Sequence, residues 1–152
     1  MNPLQQVKFV KVVPPAAIVD DAAVTCEVVD TLGWDYATIV AFLGATDIAA
    51  TAFNVTESDD NSNFTMIAAT NFANTSLTDM DGTALALPTA TDDNKFFVVH
   101  CDMRRHKRYL QLAATAGNGS AGTYITAFAV LSRGEIKPNS SSEQGAKNVV
   151  VV

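Results

Sequence analysis

Arg104-Arg105-His106-Lys107-Arg108 places five basic side chains in succession, in a chain with no lysine or arginine between Lys11 and Lys95. Over that basic-free stretch the acids accumulate: Asp20, Asp21, Glu27, Asp30, Asp35, Asp47, Glu57, Asp59, Asp60, Asp79, Asp81, Asp92 and Asp93. Crowded cations repel one another unless water or carboxylates surround them. Arg104, Arg105, Lys107 and Arg108 therefore suit electrostatic docking onto an acidic surface, of another copy or of a larger partner. A solvated hairpin tip is the plain alternative. Nucleic acid fits poorly: the net charge is −6, and apart from Tyr109 no aromatic side chain interleaves the run to stack bases.

Other chemistry finds little support. His100 and His106 are the only histidines, and His100 and Cys101, as strand neighbours, point to opposite faces. Asp79-Met80-Asp81-Gly82 offers alternate carboxylates, but Thr83 and Ala84 break the pattern of a calcium loop. Solvated turns account for these acids. Neither a Gly-x-Ser-x-Gly nor a Ser-x-x-Lys motif occurs, and Cys26 has no basic neighbour in sequence to activate it. Gly117-Asn118-Gly119 is not followed by the lysine of a phosphate loop. The expectation is a protein without catalysis, cofactor or metal.

The elements that must carry these residues are strands. Alternation of period two runs through Val7 to Val13, Ala22 to Asp30, Asp35 to Leu43, Ala50 to Glu57, Phe64 to Ala69, Phe96 to Asp102, Tyr109 to Ala116 and Gly122 to Ser132. Gly44 to Ile48 reads as a turn, and residues 70–93 as a loop. The Gly/Asn/Ser linker between the last two strands reads as the tip of an antiparallel hairpin. Eight or so short strands predict an all-β fold: an antiparallel sandwich, jelly-roll-like, with extended terminal arms.

At 152 residues and 48% hydrophobic content the chain is the size of one domain with a real core. The sandwich is expected over 1–133, with a short N-terminal arm. An extended C-terminal arm over 134–152 ends in Val149-Val150-Val151-Val152, a strand-forming tip that needs a sheet edge, its own or a neighbour's. Cys26 and Cys101 read as buried free thiols. The N-terminus does not read as a secretory signal, no apolar run approaches the roughly 18 residues of a membrane span, and the five Asn-x-Ser/Thr matches read as chance. A soluble protein made in the cytoplasm is expected.

Residues 7–133 together resemble the small jelly-roll cement, or decoration, proteins of tailed-bacteriophage capsids. The likeness rests on the Val7-Lys8-Phe9-Val10 strand ending at Pro14-Pro15, and on Ala90-Thr91-Asp92-Asp93-Asn94-Lys95-Phe96-Phe97 leading into Arg104 to Tyr109. Thr123-Tyr124-Ile125-Thr126-Ala127-Phe128 closes the body. The resemblance implies a structural virion protein, a homo-oligomer (dimer or trimer) on the capsid exterior. There it would stabilise the shell by bridging subunits of the major capsid protein, with no nucleic acid or membrane as partner. The rival readings are a head-tail or tail accessory protein of such a virus and a carbohydrate-binding jelly roll. A single Trp34 and 8% aromatic residues weigh against sugar binding.

Overall fold

A computed structural model describes residues 3–150. Eight strands form: β1 (Lys8–Val13), β2 (Val29–Asp30), β3 (Trp34–Thr46), β4 (Ala52–Ser58), β5 (Thr65–Met66), β6 (Phe96–Asp102), β7 (Tyr109–Thr115) and β8 (Thr123–Gly134). Among the described residues the helical pieces are 3-10 turns at Pro3–Gln6, Ala68–Thr70 and Met103–Arg105. The strands make two four-stranded antiparallel sheets, ordered β1-β8-β3-β6 and β2-β7-β4-β5. The expectation of an all-β antiparallel sandwich holds. Its pairs β1·β8, β2·β7, β3·β6 and β4·β5 are those of one long antiparallel ribbon wound upon itself.

Alternation decides what fills the sandwich. Ala37, Ile39, Ala41 and Leu43 of β3 and Ala127, Ala129 and Leu131 of β8 point inward and are buried. They meet Phe53 and Val55 of β4 and Leu110, Leu112 and Ala114 of β7 across the core. Small residues on one sheet against large ones on the other let the layers interdigitate at interior density. Phe72, from the long connection before β6, closes the core against Phe53 and Phe97, with ring centroids 5.1 and 5.9 Å away.

Four expectations change. The run from Ala22 to Asp30 pairs as a strand only at Val29–Asp30; upstream it is held by single bonds, such as Val24 N–H to Ala114 O at 2.9 Å. Gly44 is no turn: β3 continues to Thr46, and a Cβ on Gly44 would stand 2.9 Å from the Cβ of Tyr124 on β8. Close strand approach, not chain reversal, requires glycine there. The expected hairpin of the last two strands is absent, because β7 and β8 belong to different sheets. Each carries an apolar inner face, and the linker between them is long enough to cross the roughly 10 Å that separates packed sheets.

The C-terminal arm is the fourth difference. Rather than extending, it folds into turns, with Gln144 N–H on Ser140 O and Ala146 N–H on Ser141 O. It lies against β1: Phe9 donates its N–H to Gln144 O at 2.8 Å, and buried Gln144 donates Nε2–H to Gln5 O at 3.0 Å. Val149 and Val150 are exposed and lie in no strand, while Val151 and Val152 fall outside the described residues. Gly145 makes the contact possible, because its φ is +73° and a Cβ there would collide with the carbonyl of Phe9. We predict that Gly145→Ala frees the arm and leaves the sandwich folded. At a cost of roughly 1 kcal/mol, the Phe9 amide should exchange about fivefold faster by NMR; unchanged exchange would show that the arm does not depend on this contact.

Candidate partner-binding site

The basic run forms the crossing from β6 in one sheet to β7 in the other. Asp102, the last residue of β6, caps the 3-10 turn at Met103–Arg105 by accepting the Arg104 N–H at 3.2 Å. Its carboxylate also takes Arg104 Nε at 2.8 Å and Nη2 at 2.7 Å, a two-pronged pair. The same guanidinium reaches Tyr36 Oη on β3 at 2.8 Å. Arg104 and Arg133 both bring their guanidinium carbons to 5.4 Å from the Tyr36 ring centroid.

Arg108 makes a matching pair in the other sheet, giving Nε and Nη2 to Asp30 at 2.8 and 2.7 Å. Thr31 strengthens that junction by donating both its N–H and its hydroxyl to Arg108 O. Between the two arginines, His106 Nδ1 lies 2.9 Å from Glu57 Oε2, which also accepts the Lys107 N–H at 3.0 Å. Lys107 Nζ is 4.0 Å from Asp59. Arg105, exposed like Arg104 and Arg108, is the one member of the run that makes no ion pair or side-chain hydrogen bond among the described residues.

The run is therefore not the free positive surface that its sequence suggests. Acids from distant parts of the chain surround it, and the pairs tie β6, β3, β7, β2 and β4 at one end of the sandwich. Exposed pairs of this kind contribute little individually, but bidentate geometry fixes the turn. The Arg104 hydrogen bonds draw the Asp102 carboxyl down to about 2, and Arg108 lowers that of Asp30. The two guanidinium groups are held protonated in return.

At the opposite end acids do similar work without bases. Asp47 accepts the N–H groups of Ser120, Ala121 and Gly122, at 2.5, 2.6 and 3.1 Å. Asp20 takes Gly119 N–H at 2.9 Å, and Asp93 takes Thr46 N–H at 2.9 Å. Among the described residues no group of three or more His, Cys, Asp or Glu is placed to hold a metal ion. Cys26 and Cys101 are free thiols, each pushed by burial up to about 11.

The sequence reading missed an apolar open surface. The outer face of the β1-β8-β3-β6 sheet carries Val40 and Phe42 from β3, Phe96 and Val98 from β6, and Tyr124 and Phe128 from β8. Cross-strand register places them side by side: Val40 between Val98 and Phe128, Phe42 opposite Phe96 with rings 4.6 Å apart. Phe96 is 62% exposed and Val98 44%. The signal was present in Phe96-Phe97-Val98-Val99, since a strand apolar on both faces is one whose outer face expects cover. No protein-family model, curated protein or solved structure matches this chain. No helix among the described residues is long and apolar enough to cross a membrane.

The ion pairs carry a pH dependence of fixed sign. Folding holds Asp30 and Asp102 below the ordinary carboxyl value, so the unfolded chain takes up protons first as pH falls. Their contribution is present above the ordinary carboxyl range, near pH 4, and is lost as pH falls through the lowered values, about 2 for Asp102. The thermal midpoint should fall across that window, and less steeply in Asp102→Asn. An identical acid limb in the variant would remove Asp102 from the account.

Proposed function

We propose that this protein is a structural component of a virus particle: it binds the outside of a phage capsid and stabilises it by bridging major capsid protein subunits. The observation that carries this reading is the broad apolar outer face of the β1-β8-β3-β6 sheet. Small-molecule sites are concave and enclose their ligands; a flat sheet face matches a large, equally flat protein surface. Lys11, at the margin of the face, is already paired with Glu27 at 2.7 Å.

The strand order supports reading the sandwich as a jelly roll, eight strands wound as two Greek keys. Capsid proteins, lectins and cupins all use that architecture, so the order narrows the class without choosing a function. The arrangement of Tyr36 disfavours sugar stacking, because two guanidinium groups already lie beside its ring. A head-tail or tail accessory role would use the same flat face. Arg105 supplies a cation without an ion pair among the described residues for an acidic surface, of the shell or of another copy, while Arg104, Lys107 and Arg108 chiefly hold the turn that presents it. Val149 and Val150, exposed and in no strand, are within reach of a neighbouring subunit.

Co-sedimentation with purified phage capsids tests the proposal. The wild-type protein should pellet in a fixed ratio to the major capsid protein, less tightly as salt rises, because exposed charges are screened beyond about 8 Å at physiological ionic strength. Phe128→Lys buries a charge in the contact, beside Lys11, its cross-strand partner, and should weaken binding at least about tenfold with the fold intact. Arg105→Ser should weaken it by a smaller factor, and chiefly at low salt. Equal pelleting of wild type and Phe128→Lys would take the outer face out of the interface. No pelleting at any salt concentration would overturn the capsid reading.

A further inference from the structure

We propose that β6 is a two-fold dimer seam, at which the edge strands of two copies pair antiparallel about Val98 and join their outer sheets into one eight-stranded face. The reading is separate from capsid binding, and it specifies how the protein would associate with itself.

β6 ends its sheet, with β3 on one side only. Leu43 N–H donates to Lys95 O at 3.1 Å, so Lys95 turns its backbone toward β3. Hydrogen-bonded and non-bonded pairs alternate along an antiparallel ladder. Phe96, Val98, His100 and Asp102 therefore point their N–H and C=O groups at the open edge. Among the described residues no loop bonds to those groups from Phe96 to Cys101. The opposite edge of the same sheet, β1, is partly closed by Phe9 N–H on Gln144 O and by Glu27 N–H on Val12 O.

Edges left open are usually blunted by lysine, proline, a bulge or a covering loop. β6 has none of these: Phe96-Phe97-Val98-Val99-His100-Cys101 is uncharged, β-prone and regular in its pairing with β3. A two-fold axis demands a strand complementary to itself. With Val98 on the axis, Phe96 faces His100 of the second copy on the outer side, and Phe97 faces Val99 on the inner side. Every such pair is uncharged.

Charge selects the second copy as the occupant. β6 has the basic turn at one end and Asp92-Asp93 at the other, where Lys95 pairs with Asp92 at 2.9 Å and Asp93 makes no ion pair among the described residues. The antiparallel register carries unpaired Arg105 of each copy to the neighbourhood of the partner's acidic turn. Asp93 there is exposed, with one carboxylate oxygen on Thr46 N–H. Two such contacts, one at each end, follow from the symmetry.

Sedimentation equilibrium of the isolated full chain over a concentration series, without capsids, tests the seam. A monomer–dimer equilibrium weakened by salt is expected. Val98→Pro removes an N–H that the monomer's own ladder does not use, and it should raise the dimer dissociation constant at least about tenfold. Val98→Lys at this already exposed position should do the same, which guards against a folding defect of the proline variant. Arg105→Glu should weaken the dimer, most strongly at low salt. In the wild type, the Val98 and His100 amides should exchange more slowly as concentration rises. A monomer at all concentrations overturns the seam, as does a dimer unaffected by both Val98 variants. So does a dimer lost only on deleting residues 135–152, which would make the tail the occupant. A dimer that never binds capsids would refute the capsid reading and leave the seam standing.

Discussion

The hydrogen bond from a loop N–H to an aspartate carboxylate is the interaction on which the rest of this fold depends. Chain between strands, whether it turns within a sheet or crosses to the other, leaves the ladders and must satisfy its backbone groups elsewhere. Asp47 does so for Ser120, Ala121 and Gly122; Asp60 does so for Ser62 and Asn63; Asp79 does so for Asp81 and Thr83. The bonds require ionised acids, and they lower the carboxyls of Asp47 and Asp60 below the usual range. An acid-rich, base-free stretch is thus first a device for closing loops. At the β6–β7 crossing, arginine joins the scheme, and Asp102 and Asp30 each hold a guanidinium as well.

Loops closed from within leave both ends of the sandwich with few unmet polar groups. The inner faces are spent on the core. What stays open is the outer face of the β1-β8-β3-β6 sheet and its β6 edge, both uncharged over most of their extent. Pairing two β6 edges would double that face without covering it. In the proposed capsid role, the repeated surfaces of a subunit lattice would reward a contact repeated in register.

Much of this fold could be read from the residues, for reasons specific to each element. Strands β3, β4, β6, β7 and β8 show the alternation that half-burial imposes, and Ala127, Ala129 and Leu131, which share one face of β8, are buried. Pairing was less legible, since the same alternation fits a β7–β8 hairpin and the observed crossing. Asp47, which holds that crossing, lies 73 residues from Ser120. The partners of the basic run were hidden by the same distance: Asp30 is 78 residues from Arg108 and Glu57 is 49 from His106. The expected extended tail fails at Gly145, whose left-handed backbone turns the arm against Phe9.

The central claim is that closed ends leave the apolar sheet face as the working surface. Hydroxyl-radical footprinting of the protein, free and bound to virus particles, measures that directly at side chains. Phe96, Tyr124 and Phe128 should lose reactivity on binding, while Met80, 95% exposed in a loop outside the sheets, keeps its own. Protection of Met80 with Phe96, Tyr124 and Phe128 still reactive would contradict the account and move the contact to the loops.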